Sequence, residues 1–250
     1  MLLAIDIGNS NIAFGIYHKD GWKGHWRLNT IANKTSDEYE VLFKSLLPNT
    51  GHIKRVVVSS VVPSLKHTFD RMIRRMFGFQ PMFVHPGLVT GLRVLIDNPH
   101  EIGPDLLANA VAGYHKFGSS CIIVDFGTAL SVTVVGQDGD ILGVSIAPGL
   151  ESAMKALSGN TAQLPFVELS APASVIGKNT IHAIQSGIVF GYVGLVESLV
   201  DRIKKELSQD MKVVATGGLA EVIATHTGVF DELEPWLTLD GLRLIAAEAP

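Results

Sequence analysis

The sequence is short of several things, and each shortage removes a class of protein. It holds a single cysteine, Cys121, which excludes an internal disulfide and points to a reducing compartment. Cys121 opens an apolar run and reads as a small core residue. Basic charge is scarce: 20 Lys and Arg against 24 Asp and Glu leave a net charge of −4. Broad nucleic-acid binding needs clustered cations to displace counterions. The one local cluster, Arg71, Arg74 and Arg75, reads as a solvated helix face. Long hydrophobic runs are missing too. The longest, Ile188 to Val196, is interrupted by glycine and too short to cross a bilayer. No basic region followed by an apolar stretch and a cleavage site opens the chain. The expectation is a cytoplasmic protein with neither a nucleic-acid nor a membrane partner. Low-complexity tracts, repeats of 20 to 50 residues, the Walker A pattern and the dinucleotide glycine pattern are also absent. Hydrophobic residues make up 47% and charged residues 18%, the balance of a folded domain rather than a disordered one.

What the chain does have is one phrase used twice. Leu2-Leu3-Ala4-Ile5-Asp6-Ile7-Gly8-Asn9-Ser10 returns, half a chain later, as Cys121-Ile122-Ile123-Val124-Asp125-Phe126-Gly127-Thr128-Ala129. Each is an apolar run ending in Asp-x-Gly-polar, followed by a second apolar run and a turn, Lys19-Asp20-Gly21 or Asp138-Gly139-Asp140. Glycine lets the backbone turn tightly and approach a ligand. Turn amides and Asn or Ser side chains donate to phosphate oxygens. A carboxylate at a strand end can hold Mg²⁺ through water. A capped hairpin turn explains one copy equally well; two copies suggest two similar halves around a shared phosphate site.

The segments between support an alternating order. Leu2–Ile7, Ile12–Tyr17 and His25–Leu28 read as consecutive strands, and Ser36–Leu47 as a helix. Arg55–Val62 is a β-branched run of the kind buried on both faces of a parallel sheet. Helices are expected from Pro63 to Met76 and from Pro104, with a short strand at Pro81–Val84. In the second half, strands at 121–125, 129–135, 140–147 and 212–215 alternate with helices at 149–157, 179–207 and 239–248, and 158–175 reads as a loop. Thr216-Gly217-Gly218 follows the last of these strands. The fold class is α/β, with two lobes, 1–118 and 119–250, of mixed sheets flanked by helices around a central cleft.

In this order the motifs resemble the acetate and sugar kinase, Hsp70 and actin superfamily, and within it type III pantothenate kinase. The matching stretches are Asp6–Ser10, Val58–Pro63, Asn98–Asp105, Asp125–Ala129, Pro148–Leu150, Gly177–Thr180, Gln185–Gly187 and Thr216–Gly218. The resemblance implies a duplicated actin-like (ribonuclease H-like) fold and ATP-dependent phosphorylation of pantothenate, the first step of coenzyme A synthesis. It also implies Mg²⁺, a monovalent cation (K⁺ or NH₄⁺) and a homodimer. Carried over by position, Asp105 is the general base. Asp6, Ile7, Gly8, Asn9, Ser10, Asn11, Ile12, Ala13 and Thr128 hold ATP, with Asp6 beside Mg²⁺. Asp125 binds the monovalent cation, and Gly103, Pro104, Asp105, Leu106 and Thr180 line the acceptor site.

Three positions depart from the family pattern. Gly-Ala-Asp-Arg becomes Gly103-Pro104-Asp105-Leu106, an aromatic nine residues before the base becomes Ile96, and Gly-Thr-Ala-Thr ends in Leu130. All three fall on the acceptor side as the family places it. Losing a charge-assisted hydrogen bond costs about 1.5–3 kcal/mol. Arg93, His100 and Lys178 are candidate replacements for the cation. Two other readings follow from the departures: a kinase for a less anionic alcohol, and a catalytically weak nucleotide-binding regulatory protein.

Overall fold

The computed structural model describes residues 1–47, 50–88, 92–159 and 164–249. The chain forms two compact units, Met1–Ala112 with Leu237–Pro250, and Gly113–Trp236.

The first unit is built on a five-stranded sheet. Its strands are β1 (Leu2–Ile7), β2 (Asn11–His18), β3 (Gly21–Asn29), β4 (Arg55–Ser60) and β5 (Met82–Phe83), in the order β3-β2-β1-β4-β5. β1 runs antiparallel to β2 and parallel to β4. The alternation of side chains along β1 decides what covers each face. Leu3, Ile5 and Ile7 join Phe14 and Val58 on one face, against α1 (Ser36–Leu46) and α2 (Pro63–Phe77). Tyr39, Phe43 and Phe69 fill that core, all fully buried. A capping box closes the start of α1, where Glu38 N–H donates to Thr35 Oγ1 at 3.3 Å and Thr35 N–H to Glu38 at 2.9 Å.

The last helix, α7 (Leu237–Glu248), lies against the other face. Trp22 Nε1–H donates to Asp240 Oδ1 at 2.9 Å, and the Arg55 guanidinium donates to the carbonyls of Ala246 and Ala249. Thr238 Oγ1–H reaches Asn109 Oδ1 at 2.8 Å, tying α7 to α3 (Pro104–Phe117). By chain order alone this helix falls in the second lobe, with the division at 118/119. The packing gives it to the first unit, with the division inside α3.

The second unit repeats the plan. Strands β6 (Cys121–Phe126), β7 (Ala129–Val135), β8 (Ile141–Pro148), β9 (Lys212–Thr216) and β10 (Glu232–Leu233) stand in the order β10-β9-β6-β7-β8. β6 is antiparallel to β7 and parallel to β9, as β1 is to β2 and β4. Val124, Phe126 and Leu130 pack with Val189, Val193 and Val196 of α5 (Thr180–Leu207) and with Ile223 of α6 (Ala220–Ala224). α4 (Leu150–Gly159) follows β8, residues 164–175 carry no helix or strand, and 160–163 of the expected loop lie outside the described residues. β10 and α6 are too short to leave a periodic signal and were not expected.

Two expectations from composition meet the structure here. Two of the three arginines of α2 are paired locally: Arg74 with Asp70 at 2.8 Å, and Arg75 with Asp37 and Glu40. The apolar run 188–196, too short in isolation, belongs to a 28-residue helix that is long and apolar enough to cross a membrane by length and composition. One side of that helix supplies the second core.

Cys121 is fully buried, and burial pushes its thiol up to about 12. An aromatic disulfide reagent is expected to leave the native protein unlabelled at pH 8 and to label one thiol per chain in denaturant. Rapid labelling of the folded protein would contradict the packing of β6.

Candidate functional site

Both copies of the repeated phrase are strand–turn–strand units, and in both the aspartate ends a strand. In the first unit Asp6 is half-buried at the end of β1. The turn after it is closed by Gly8 N–H donating to Asn11 O at 3.0 Å. Thr30, just past β3, clamps it twice: its N–H donates to Ser10 O at 2.9 Å and its hydroxyl to Gly8 O at 2.7 Å. This fastening leaves Asn9, Ser10 and Asn11 exposed at the tip. Ile7 and Ile12 are fully buried in the first core, so of the expected ATP residues these two offer backbone groups alone. Ala13 is half-buried on β2, opposite Asp6. Thr30 was not singled out from the sequence; a lone threonine after a strand gives no signal until its partners are known.

The Asn98–Asp105 stretch is a capped turn leading into α3. Asn98 Oδ1 accepts from His100 N–H at 3.3 Å, and its amide donates to Glu101 at 2.8 Å. Pro104 then opens α3, placing Asp105 in its first turn. The Asp105 carboxylate folds back to accept from Leu106 N–H at 2.9 Å. A Cβ at Gly103 would collide with Asp105 Oδ1, so the absence of a side chain there makes room for the carboxylate. Burial raises the pKa of Asp105, and backbone N–H donors oppose that only in part. Gly103, Pro104, Asp105 and Leu106 are all partly exposed. Arg93, His100 and Lys178 are exposed.

In the second unit Asp125 is half-buried at the end of β6, and Gly127, Thr128 and Ala129 are exposed. Thr128 O accepts from Gly149 N–H at 3.1 Å and from the Ser152 hydroxyl at 2.7 Å, so the start of α4 fixes this turn. Gly217 follows β9 with φ +93°, a conformation that favours glycine. A Cβ there would lie 2.6 Å from Asp125 Oδ1 and 2.7 Å from Phe126 N. The β9 turn therefore packs close against Asp125 and Phe126, an approach that glycine alone permits.

Thr180 begins α5 and is exposed. Asn179 caps that helix, its Oδ1 accepting from His182 N–H at 2.9 Å. Thr180 lines a groove of about 500 Å³ with Gly177, Lys178, Ala183, Gly187 and Leu157. Asp6 and Asp105 thus belong to the first unit, and Asp125, Thr128 and Thr180 to the second.

One departure proves not to face a substrate in this structure. Leu130 is fully buried among Val124, Val132 and Val196 in the second core, so its aliphatic side chain serves packing. Leu106 and Ile96 are partly exposed.

A family model for type III pantothenate kinase matches residues 2–202. Solved structures share the fold across nearly the whole chain. A conserved Campylobacter jejuni protein assigned to the Baf family of transcriptional activators is 19% identical, covers 98% of both chains and has a TM-score of 0.63. A Sinorhizobium meliloti protein assigned as a 2-dehydro-3-deoxygalactonokinase is 13% identical over 98% of this chain and 96% of its own, with a TM-score of 0.59. The Clostridium difficile activator of 2-hydroxyisocaproyl-CoA dehydratase, solved with bound ADPNP, is 14% identical over 98% and 94%, with a TM-score of 0.53. Two five-stranded sheets of like order, each flanked by helices, are the duplicated actin-like fold.

Proposed function

This chain belongs to the type III pantothenate kinase family, and from that membership we propose that it transfers the γ-phosphoryl group of ATP to the hydroxyl of pantothenate. The family makes it an ATP-using kinase acting on a small molecule. The observation that carries the finer reading is Asp105: a carboxylate with its pKa raised by burial, in the first turn of α3, on a partly exposed segment.

The chemistry follows from the residues. Asp105 takes the proton of the acceptor hydroxyl as the new O–P bond forms and the bond to the ADP leaving group breaks. A raised pKa makes the carboxylate a stronger base toward the acceptor's proton. In the first unit the exposed tip at Asn9, Ser10 and Asn11 offers N–H and side-chain donors to phosphate; in the second unit the exposed Thr128 offers the same kind of donor. Gly103, Pro104 and Leu106, on the segment that carries Asp105, are the groups this reading sets against the acceptor.

The residues present fit Mg²⁺. Among the described residues no cluster of three or more His, Cys, Asp or Glu could hold a metal. Mg²⁺ asks for less: one or two carboxylates, phosphate oxygens and its own waters. Asp6 at a strand end supplies the carboxylate, and the ion, when bound, neutralises charge on the phosphates. Asp125, a half-buried carboxylate beside the exposed Gly127-Thr128 turn, is the group this reading assigns to a K⁺ or NH₄⁺ ion. A homodimer belongs to the same reading, supported by the exposed Ile146, Ile176 and Ile181. Gly187, Gly191 and Gly194 add an open strip on α5, where a Cβ would meet nothing within 4 Å among the described residues. The reading places the protein in the cytoplasm.

The test is ADP release from ATP and Mg²⁺, with and without pantothenate, in K⁺ and in Na⁺ buffer. Pantothenate-dependent release stimulated by K⁺ is expected. Protein that binds ATP but releases no ADP in response to pantothenate would overturn the assignment of the acceptor. A second reading, a kinase for a less anionic alcohol, rests on Leu106: the residue after the base is aliphatic and partly exposed, with no charge to offer a carboxylate. Turnover with a neutral primary alcohol exceeding that with pantothenate would select it.

A further inference from the structure

One buried hydroxyl in the first unit has no partner. Ser59, on β4, is 0% exposed, and its Oγ makes no hydrogen bond among the described residues. Leaving such a group unpaired costs about 1–3 kcal/mol, so an orphan in a well-packed strand calls for a reason. Its position offers one. In the parallel pairing of β1 with β4, Ser59 stands opposite Asp6. Residues opposite one another project from the same face, and neighbouring strands lie about 4.8 Å apart. On its other side Asp6 faces Ala13, which has no polar side-chain atom. The neighbour able to donate from an adjacent strand is therefore Ser59.

The second unit repeats this arrangement independently. There β9 is parallel to β6, and Thr216, 1% exposed, stands opposite Asp125. Both strand-end aspartates thus have a buried hydroxyl beside them on the parallel strand, although the local sequences, Val58-Ser59-Ser60 and Ala215-Thr216-Gly217, differ. What the two share is the register, which the folded sheet shows.

We infer that Ser59 is a positioning residue for Asp6. Its hydroxyl donates to one oxygen of the Asp6 carboxylate when magnesium-nucleotide binds, and so fixes the direction in which the other oxygen is offered. The inference rests on the proposed role of Asp6 toward Mg²⁺. In the free protein the hydroxyl is held in place unsatisfied, ready for a carboxylate that turns toward the ligand.

A purely structural serine and a positioning serine predict different results for Ser59→Ala. Removing an unsatisfied hydroxyl should leave the unliganded melting temperature equal to that of the wild type or above it. The Mg²⁺ concentration giving half-maximal binding of a non-hydrolysable ATP analogue should rise about tenfold, the loss of one hydrogen bond. Ser59→Thr keeps the hydroxyl, uses the residue found at the equivalent site in the second unit, and should restore the wild-type Mg²⁺ dependence. An unchanged midpoint in Ser59→Ala, or Ser59→Thr behaving like Ser59→Ala, overturns the inference while wild-type binding leaves the proposed function standing. Wild-type protein whose analogue binding ignores Mg²⁺ overturns the role of Asp6 and this inference together.

Discussion

Asp105→Asn is expected to lower pantothenate-dependent ADP release by about 10²–10⁴-fold, the usual contribution of a general base. The amide keeps the size of the side chain, and its oxygen can still accept from Leu106 N–H, a bond of 2.9 Å in the native protein. The fold and ATP affinity should survive, and the loss should fall on the catalytic rate. The pH profile gives a second handle. Burial raises the pKa of Asp105, so the native rate should climb with pH through a midpoint above the ordinary carboxylate range and then level off. The same shift has a consequence for stability. Below the unfolded-state pKa the group is protonated in both states and has no effect. As pH rises through the window up to the raised folded value, the unfolded chain gives up its proton first, and the native state loses stability. Asp105→Asn removes this penalty, so its melting temperature at pH 7 should match or exceed the wild type. A variant that turns over normally would remove Asp105 from the mechanism; one that fails to fold would contradict the sign of its pKa shift.

Much of the fold can be read from the sequence because its main signals are local. β1 and β6 are continuous apolar runs that stop at Asp-x-Gly, and a strand buried on both faces requires that pattern. α2 shows its start in Pro63, and the expected bounds, Pro63 to Met76, agree with the structure within a residue. The local structure around the candidate residues was legible to the same depth. The Asp6 and Asp125 turns each take about four residues, and Gly103-Pro104-Asp105 opens a helix visibly. What could not be read depends on partners distant in sequence. Thr30 clamps the first turn from across β3. Ser59 gains meaning from its register with Asp6. Leu130 looks like a change in a substrate pocket until the structure places it among the valines of the second core. Ile7 and Ile12 fall inside the stretch expected to hold ATP, yet strand alternation sends their side chains into the core. α7 is the largest case. Its apolar spacing is the same whichever sheet it covers, and nothing local directs it to the first unit.

That destination gives the second large prediction. Gly241 sits where α7 crosses α3, and a Cβ built on it would run into the backbone of Ala108: 2.8 Å from its Cα and closer still to its carbonyl. The atoms it would meet are main chain in a helix, so no side chain can swing aside. Gly241→Ala must push α7 away from α3 and from the sheet it covers. Overpacking of this kind costs about 1–3 kcal/mol and occasionally more. Alanine regains up to about 1 kcal/mol in helix propensity over glycine. Because the clash is with backbone, a net loss of about 2 kcal/mol is expected. In a chain of this size that lowers the melting temperature by about 4–8 °C. Gly143→Ala, where the added carbon meets nothing within 4 Å among the described residues, should melt no lower than the wild type. Ending the chain before Leu237 should do far more than either. It strips the covering helix from the face shared by Arg55, Asp6 and Ser59, and leaves the Arg55 guanidinium without the Ala246 and Ala249 carbonyls it now holds. Hydrogen exchange on the truncated chain should show β1, β2 and β4 losing protection while β6, β7 and β9 keep theirs. Equal loss in both sheets would mean that α7 does not belong to the first unit alone. A Gly241→Ala protein that melts with the wild type would mean that α3 and α7 do not meet at Gly241.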